Sequence, residues 1–215
     1  MVRLWLWIAA WSASALHAQQ FTLGGKGGFR VTTDIDGSFG TQSESKRHVV
    51  GPTLGIALGR GFGVSVDALY STVGYRTFQG GALAQGSSRV RGGSWEFPIA
   101  MQRYFREAQT WRPFTEVGFA PRHTARRYRS EGTILNVPTG VSERFVTEGR
   151  YASEVSYGLV VGGGVQFAVG AIRIAPCARY TRWNRDVINE FGSRGFSVNA
   201  NRHQVQVLVG ISWAP

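Results

Sequence analysis

Apolar and polar side chains alternate along eight segments of this chain. A period of two residues is typical of a β-strand with one apolar and one polar face. We therefore expect eight strands of about ten residues, the length that tilted strands need to cross a membrane. The segments span approximately residues 21–32, 50–58, 62–71, 95–102, 114–123, 155–167, 172–181 and 204–213.

The connections between these segments alternate in length. Short turns are expected at 59–61, 106–111 and 169–170, and long polar loops at about 34–48, 76–93, 122–153 and 184–202. Short turns on one side and long loops on the other are typical of barrels of the bacterial outer membrane. The pattern predicts an all-β fold, an eight-stranded antiparallel up-and-down transmembrane β-barrel, with long extracellular loops and both termini in the periplasm.

The two faces of each strand indicate which one meets lipid. A soluble ligand-carrying barrel is apolar inside and polar outside. Here one face is aliphatic and aromatic, whereas the other carries Gly, Ser, Thr, Gln and isolated charges, so we expect the apolar face to contact lipid. Aromatic residues near strand ends are predicted to form girdles at the two membrane interfaces. These are Phe21, Phe62, Tyr70, Trp95, Phe105, Phe114, Tyr180 and Trp213.

The first eighteen residues have the composition of a cleavable signal peptide. Arg3 precedes the apolar run Leu4–Trp11, and small residues lead up to Ala18. The run is too short to cross a bilayer as a helix. We expect export through the Sec pathway, removal of residues 1–18, and a single outer-membrane β-barrel domain at 19–215. The lone cysteine, Cys177, excludes an internal disulfide.

Four stretches resemble the strand signatures of small OmpA/OmpX-like outer-membrane β-barrels. They are YSTVGY at 70–75, WEFPIAMQRYF at 95–105, RPFTEVG at 112–118 and ARYTRW at 178–183. The resemblance implies the same architecture and recognition by the outer-membrane assembly machinery. Such chains commonly end in an aromatic residue that this machinery recognises, whereas this chain has Trp213 two positions before its end. The group includes anchors, adhesins and resistance factors, so the resemblance implies no single activity.

Charged residues on the polar faces predict a network inside the barrel. An eight-stranded barrel is just wide enough for side chains to fill it. An unpaired charge in so narrow a space costs several kcal/mol, so opposite charges should pair across the lumen. We expect Asp67, Glu116 and Arg179 near mid-height. The full predicted network is Lys26, Arg30, Asp67, Glu96, Glu116, Glu154, Arg173 and Arg179.

The chain is strongly basic, with 24 Lys and Arg against 13 Asp and Glu. An exported protein rarely meets nucleic acid, so outer-membrane lipid and lipopolysaccharide phosphates are the expected polyanions. The arginines of 76–93 and 122–153 suit phosphate because guanidinium donates two parallel hydrogen bonds. The alternative is that these arginines are solvated or pair with nearby carboxylates. The predicted surface contacts are Arg89, Arg91, Arg126, Arg127 and Arg129.

An enzymatic alternative rests on Ser153 and His123, which flank the longest predicted loop, with Glu154 beside them. A His within hydrogen-bond reach of a Ser can activate it, as in hydrolases that act on membrane lipid. His48, His123 and His203 lack metal-ligand spacing, so neither a metal nor another cofactor is expected. The leading interpretation is a monomeric, non-enzymatic barrel with a structural or surface-interaction role.

Overall fold

The computed structural model of the chain consists almost entirely of β-strands. It describes residues 21–33, 35–36, 40–81, 84–105, 110–136, 141–184, 189–191 and 197–214. The predicted signal peptide, 1–18, lies outside the described residues, and so do residues 106–109 of one predicted turn. Among the described residues, no helix is long and apolar enough to cross a membrane.

The strands are numbered in chain order. They are β1 (Phe21–Arg30), β2 (Ile35–Asp36), β3 (Thr41–Ser43), β4 (His48–Gly59), β5 (Phe62–Asp67), β6 (Leu69–Gly80), β7 (Ala84–Glu96), β8 (Ile99–Tyr104), β9 (Trp111–Asn136), β10 (Val141–Arg150), β11 (Glu154–Val169), β12 (Ile172–Trp183), β13 (Asn189–Phe191), β14 (Ser197–Ala200) and β15 (His203–Trp213).

Eight wall strands close into an antiparallel ring. The first, β1, pairs with β4 on one side and with the last, β15, on the other. Two wall strands are each made of two pieces: β5 and β6 are separated by Ala68, and β7 and β8 by Phe97 and Pro98. Around the ring β4 is followed by β5/β6, β7/β8, β9, β11, β12 and β15. The ring confirms the predicted eight-stranded barrel, and closure leaves no free sheet edge in the wall.

The distribution of apolar side chains is that of a protein solvated by lipid. Leu23, Val117 and Leu159 point outward and are 64%, 61% and 69% exposed, whereas Arg179 points inward and is 1% exposed. Water would penalise such an apolar exterior, and hydrocarbon would not. The backbone polar groups of the wall are satisfied between neighbouring strands, as a membrane-spanning segment requires.

Most of the predicted interfacial aromatics lie on the outer wall. Tyr70 and Trp95 contact each other there, with ring centroids 5.2 Å apart. The assignment of Phe114 to the outer girdle is wrong, because this residue is 4% exposed and points into the lumen. Phe114 shares a strand face with Glu116, two residues further along β9, so the alternation that turns Glu116 inward turns Phe114 inward as well.

The sequence predicts a uniformly polar lumen, but the lumen in the structure is partly apolar. An apolar group of buried side chains fills part of it alongside the charged residues. Its members come from five wall strands and are Val49, Leu69, Phe114, Cys177 and Leu208. A second small group, Ala120, Val160 and Trp183, lies closer to the long connections. Side chains therefore fill the interior of the barrel, as expected for eight strands.

The predicted long loops at 76–93 and 122–153 are largely strands, which corrects the sequence interpretation. β6 and β7 stay paired as far as Gly80 and Gln85, and β9 continues to Asn136 and pairs with β10. Beyond the lipid both faces of a sheet can meet water, so the apolar alternation that marks a strand in the sequence is lost while the backbone pairing continues. We call this end of the barrel the hairpin end.

The opposite end, with the short connections at Arg60–Gly61 and Gly170–Ala171, is called the turn end. Arg60 has a positive φ of 53° between two glycines that also have positive φ, which makes this reversal tight. The other two predicted loops, 34–48 and 184–202, contribute short strands. Of these, β2, β13 and β14 form a separate three-stranded sheet, and β3 pairs with β6.

Candidate functional site

The centre of the lumen holds two ion-paired acids and two bases, which we call the central cluster: Lys26, Asp67, Glu116 and Arg179. Arg179 donates through Nε to Glu116 Oε1 at 2.7 Å and through Nη2 to Asp67 Oδ2 at 2.8 Å. Lys26 Nζ lies 2.8 Å from the same Asp67 oxygen. Four different wall strands contribute these side chains. The cluster therefore ties opposite walls of the barrel together.

Neutral donors complete the hydrogen bonding of the two acids. Thr53 donates its hydroxyl to Asp67 Oδ1 at 2.6 Å, and Gln102 donates its amide to Glu116 Oε2 at 3.2 Å. Buried charges are tolerated only when they are paired and hydrogen-bonded in this way. The two acids and two bases balance, so the cluster is neutral overall.

A glycine in the intervening strand allows the Arg179–Glu116 contact. Gly162 in β11 pairs with Glu116 of β9 on one side and with Arg179 of β12 on the other. A Cβ atom at Gly162 would lie 2.8 Å from Glu116 Oε1. Because Gly162 has no side chain, the carboxylate and the guanidinium meet across it.

A second polar group surrounds Glu96, nearer the hairpin end. Arg30 Nη2 donates to Glu96 Oε1 at 2.8 Å, and Arg30 also donates to the Ser71 hydroxyl. The amides of Gln204 and Gln206 donate to the same carboxylate at 3.0–3.1 Å. We call Arg30, Glu96, Gln204 and Gln206 the Glu96 cluster. The two glutamines belong to the polar face of β15, but without a charge they did not enter the predicted network.

Two residues predicted to lie in the lumen network lie elsewhere. Glu154 is at the hairpin end, where its side chain is 45% exposed and its carboxylate pairs with Arg126 at 3.1 Å. Arg173 lies at the turn end, away from both clusters, and makes no hydrogen bond or ion pair with any described residue. The structure thus brings together six of the eight predicted residues, in two separate groups.

Arg126, predicted as a surface contact, is buried inside the barrel and stacks on Tyr151 as well as pairing with Glu154. Below it, Arg122 donates to the Ser156 hydroxyl at 3.0 Å and lies 3.9 Å from the ring centroid of Trp183. Even-numbered side chains of β9 point inward from Phe114 to Arg126, so the same alternation that buries Glu116 buries these two arginines. They close the lumen at the hairpin end.

The other predicted surface arginines lie together on the outer side of the wall, beyond the Tyr70–Trp95 contact. They share a groove of about 700 Å³ with two further arginines and with the carboxylates of Glu131 and Glu148. We call these six arginines the arginine face: Arg76, Arg89, Arg91, Arg127, Arg129 and Arg150.

The strand register places these arginines opposite one another. Arg89 of β7 is opposite Arg76 of β6 and Arg129 of β9. In the adjacent row, Arg127 is opposite both Arg91 and Arg150. Like charges directly opposite across a sheet destabilise it. The arrangement is therefore costly unless anions lie against it.

Glutamates neutralise only part of this charge. Glu44 pairs with Arg89 at 2.7 Å and approaches Arg91 at 3.6 Å, and Glu148 pairs with Arg129 at 3.0 Å. The hydrogen bonds from Arg89 hold the pKa of Glu44 below its ordinary value, so this carboxylate is ionised at neutral pH. Arg127 and Arg150 make no ion pair with a described residue. The middle of the face keeps excess positive charge.

The residues of the enzymatic alternative do not form a catalytic pair. Within the described part of the chain, no hydrogen bond joins Ser153 to His123, and Glu154 is paired with Arg126 instead. His203 Nδ1 lies 2.6 Å from Tyr180 Oη, and His48 packs on Phe29. Among the described residues, no three His, Cys, Asp or Glu side chains are grouped as metal ligands.

Comparison with known proteins supports the fold independently. The chain is similar to the outer membrane protein OprG from Pseudomonas aeruginosa, with 15% identity over 92% of this chain and 95% of that chain and a TM-score of 0.53. Matches also include the N-terminal β-barrel domain of Pseudomonas aeruginosa OprF (10% identity, 92% and 99% coverage, TM-score 0.42) and Neisserial surface protein A (12% identity, 90% and 96% coverage, TM-score 0.40). The fold is that of the small outer-membrane β-barrels. No protein-family model and no curated protein matches the sequence.

Proposed function

We propose that the protein is a non-enzymatic outer-membrane barrel whose arginine face binds the phosphate groups of lipopolysaccharide in the outer leaflet. The observation that carries the proposal is the pair of arginine rows on the outer side of the wall, with too few glutamates to neutralise them. In this orientation the hairpin end is extracellular and the turn end periplasmic, which agrees with the usual placement of long and short connections.

The height of the arginine face supports a lipid phosphate as its ligand. Tyr and Trp side chains mark the headgroup level of a bilayer. Arg91 lies four residues before Trp95 in β7, which is about 13 Å along the strand at about 3.3 Å per residue. With a strand tilt of about 40°, Arg91 stands about 10 Å above the level of the aromatic side chains along the membrane normal. The phosphorylated saccharides of an outer-leaflet glycolipid stand at such heights, beside the wall rather than above the barrel.

The geometry of the face also suits phosphate. Each guanidinium can donate two parallel hydrogen bonds, and neighbouring rows allow two arginines to share one phosphate. Arg127 and Arg150 are opposite residues without a carboxylate partner among the described residues, so they are the first candidates for such sharing. Bound phosphate would also relieve the repulsion between opposite arginines.

Charge removal at the arginine face tests this function. We expect the double variant Arg91→Gln/Arg127→Gln to bind lipopolysaccharide about tenfold more weakly at low salt, because about 1.4 kcal/mol of charge-assisted contact is lost. Binding is measured by titrating lipopolysaccharide into the folded barrel in nonionic detergent. The difference should shrink as salt rises, since exposed charges are screened.

The matched control is Arg60→Gln/Arg103→Gln, which removes the same charge from exposed residues at the turn end. Its affinity should stay near that of the unmodified protein. Equal affinity of the unmodified protein and the Arg91/Arg127 variant at low salt would rule out the arginine face as the binding surface.

The remaining parts of the proposal concern export and assembly. We propose that the leader 1–18 directs Sec export and is removed, that the assembly machinery recognises the end of β15 through Trp213, and that the barrel functions as a monomer. The lipid-hydrolase alternative has no support from the described residues, because Ser153 and His123 share no hydrogen bond.

A further inference from the structure

The turn end of the barrel contains a second basic cavity, separate from the arginine face. It measures about 270 Å³, opens beside the Arg60–Gly61 turn, and ends inside the barrel near Lys26. Lys26, Arg60, Arg112 and Arg173 line it, and no Asp or Glu is among its described lining residues. We call this cavity the vestibule. Its wall is positive, and its floor is the neutral central cluster.

Whereas Arg60 is exposed, Arg173 is the partly buried vestibule cation that has no partner among the described residues. Its side chain is only partly exposed, and it makes no hydrogen bond or ion pair with the described residues. Arg112 of β9 donates to Gln166, and its guanidinium carbon lies 4.8 Å from the ring centroid of Tyr104. Lys26 is engaged by Asp67. A partly desolvated guanidinium without an acceptor is unfavourable, so an anion beside Arg173 would be stabilised.

A buried hydroxyl points to the same ligand chemistry. Ser65 lines the vestibule, is only 5% exposed, and its Oγ has no hydrogen-bond partner within the described residues. Burying a hydroxyl group without a hydrogen-bond partner has an energetic cost. This cost can be recovered by a ligand that accepts a hydrogen bond from Ser65 while its charge is balanced by Arg173.

We propose that the vestibule binds a small oxyanion, for which inorganic phosphate is the probe. Arg173 supplies the fork of donors, Lys26 and Arg112 supply further positive charge, and Ser65 donates its hydroxyl. The volume accommodates a phosphate ion with a few waters and is below the usual range for larger ligands, so the predicted ligand is a small solute rather than a lipid headgroup with its chains. The site faces the periplasm if the hairpin end is extracellular.

The test is phosphate binding by the folded barrel in a phosphate-free nonionic detergent, followed by calorimetry and by phosphorus NMR line width. We expect one phosphate per chain with a millimolar dissociation constant. Arg173→Gln should weaken binding at least about tenfold, equivalent to about 1.4 kcal/mol. Ser65→Ala should weaken it by a smaller factor. The control Arg103→Gln removes a charge from the outer wall at the same end, where Arg103 stacks on Phe62, and should leave the affinity unchanged.

Heat-modifiable gel migration is recorded for every variant, so that binding is compared only between folded barrels. Absence of saturable phosphate binding by the unmodified protein would overturn the proposal. Equal affinities of the Arg173→Gln and Arg103→Gln variants would overturn it as well, since the effect would then come from overall charge. Neither result bears on the arginine face, which lies at the opposite end of the barrel.

Discussion

Replacing Arg179 by Ala is expected to lower the free energy of unfolding of the barrel by about 3–5 kcal/mol, the usual cost of leaving a buried charge unpaired. Arg179 contacts both acids of the central cluster. Without it, Asp67 retains Lys26, but Glu116 retains only the amide of Gln102. The measurement is reversible urea unfolding of the barrel in lipid vesicles.

Two further variants separate the pairing from charge and size. Arg103→Ala removes an exposed arginine from the outer wall and should cost about 1 kcal/mol or less. Arg179→Ala/Glu116→Gln should recover part of the lost stability, because the carboxylate that Arg179 leaves unpaired is replaced by a neutral amide. If Arg179→Ala costs no more than Arg103→Ala, the central cluster does not stabilise the barrel.

We expect the lumen to block the flow of ions, so that the barrel has no stable single-channel conductance. An ion entering from the turn end meets the central cluster, whose four charged side chains are at most 7% exposed. Buried apolar side chains and the Glu96 cluster fill further parts of the lumen. Dehydrating an ion against side chains that fill the lumen and whose charges are already paired is costly.

The check is single-channel recording in planar bilayers, where the unmodified protein should give no stable conductance steps. The variant Arg30→Ala/Glu96→Ala removes charges from the Glu96 cluster and leaves the central cluster in place, so it should also remain closed. Stable, large conductance from the unmodified protein would show that the lumen is an open pore and that the charge clusters do not seal it.

The ring of eight strands could be predicted from the sequence because lipid imposes a strict alternation on the wall. The same alternation identifies the inward residues, and it continues past His123, where Arg126 points inward and Arg127 outward. Both faces of the hairpin end carry polar residues, and a segment without an apolar face resembles a loop. The sequence therefore predicts long polar loops where the structure has the sheet that carries the arginine face.

Strand parity gives the face of a residue but not its partner. Arg173 and Arg179 both point inward from β12, yet six residues separate them, which is about 20 Å along a strand. This distance excludes Arg173 from the central cluster. Leu208 is an apolar residue on the polar face of β15, so the expectation of a polar lumen does not predict it. Side chains that fill an eight-stranded barrel can nevertheless include apolar ones beside paired charges.

The most direct test of the account is to compare the binding of phosphorylated and enzymatically dephosphorylated lipopolysaccharide by the unmodified barrel at low salt. We expect at least about tenfold weaker binding without the phosphates, and a difference that disappears at high salt, because the arginine face binds through charge. Equal affinity for the two glycolipids would contradict the proposal that this face binds phosphate.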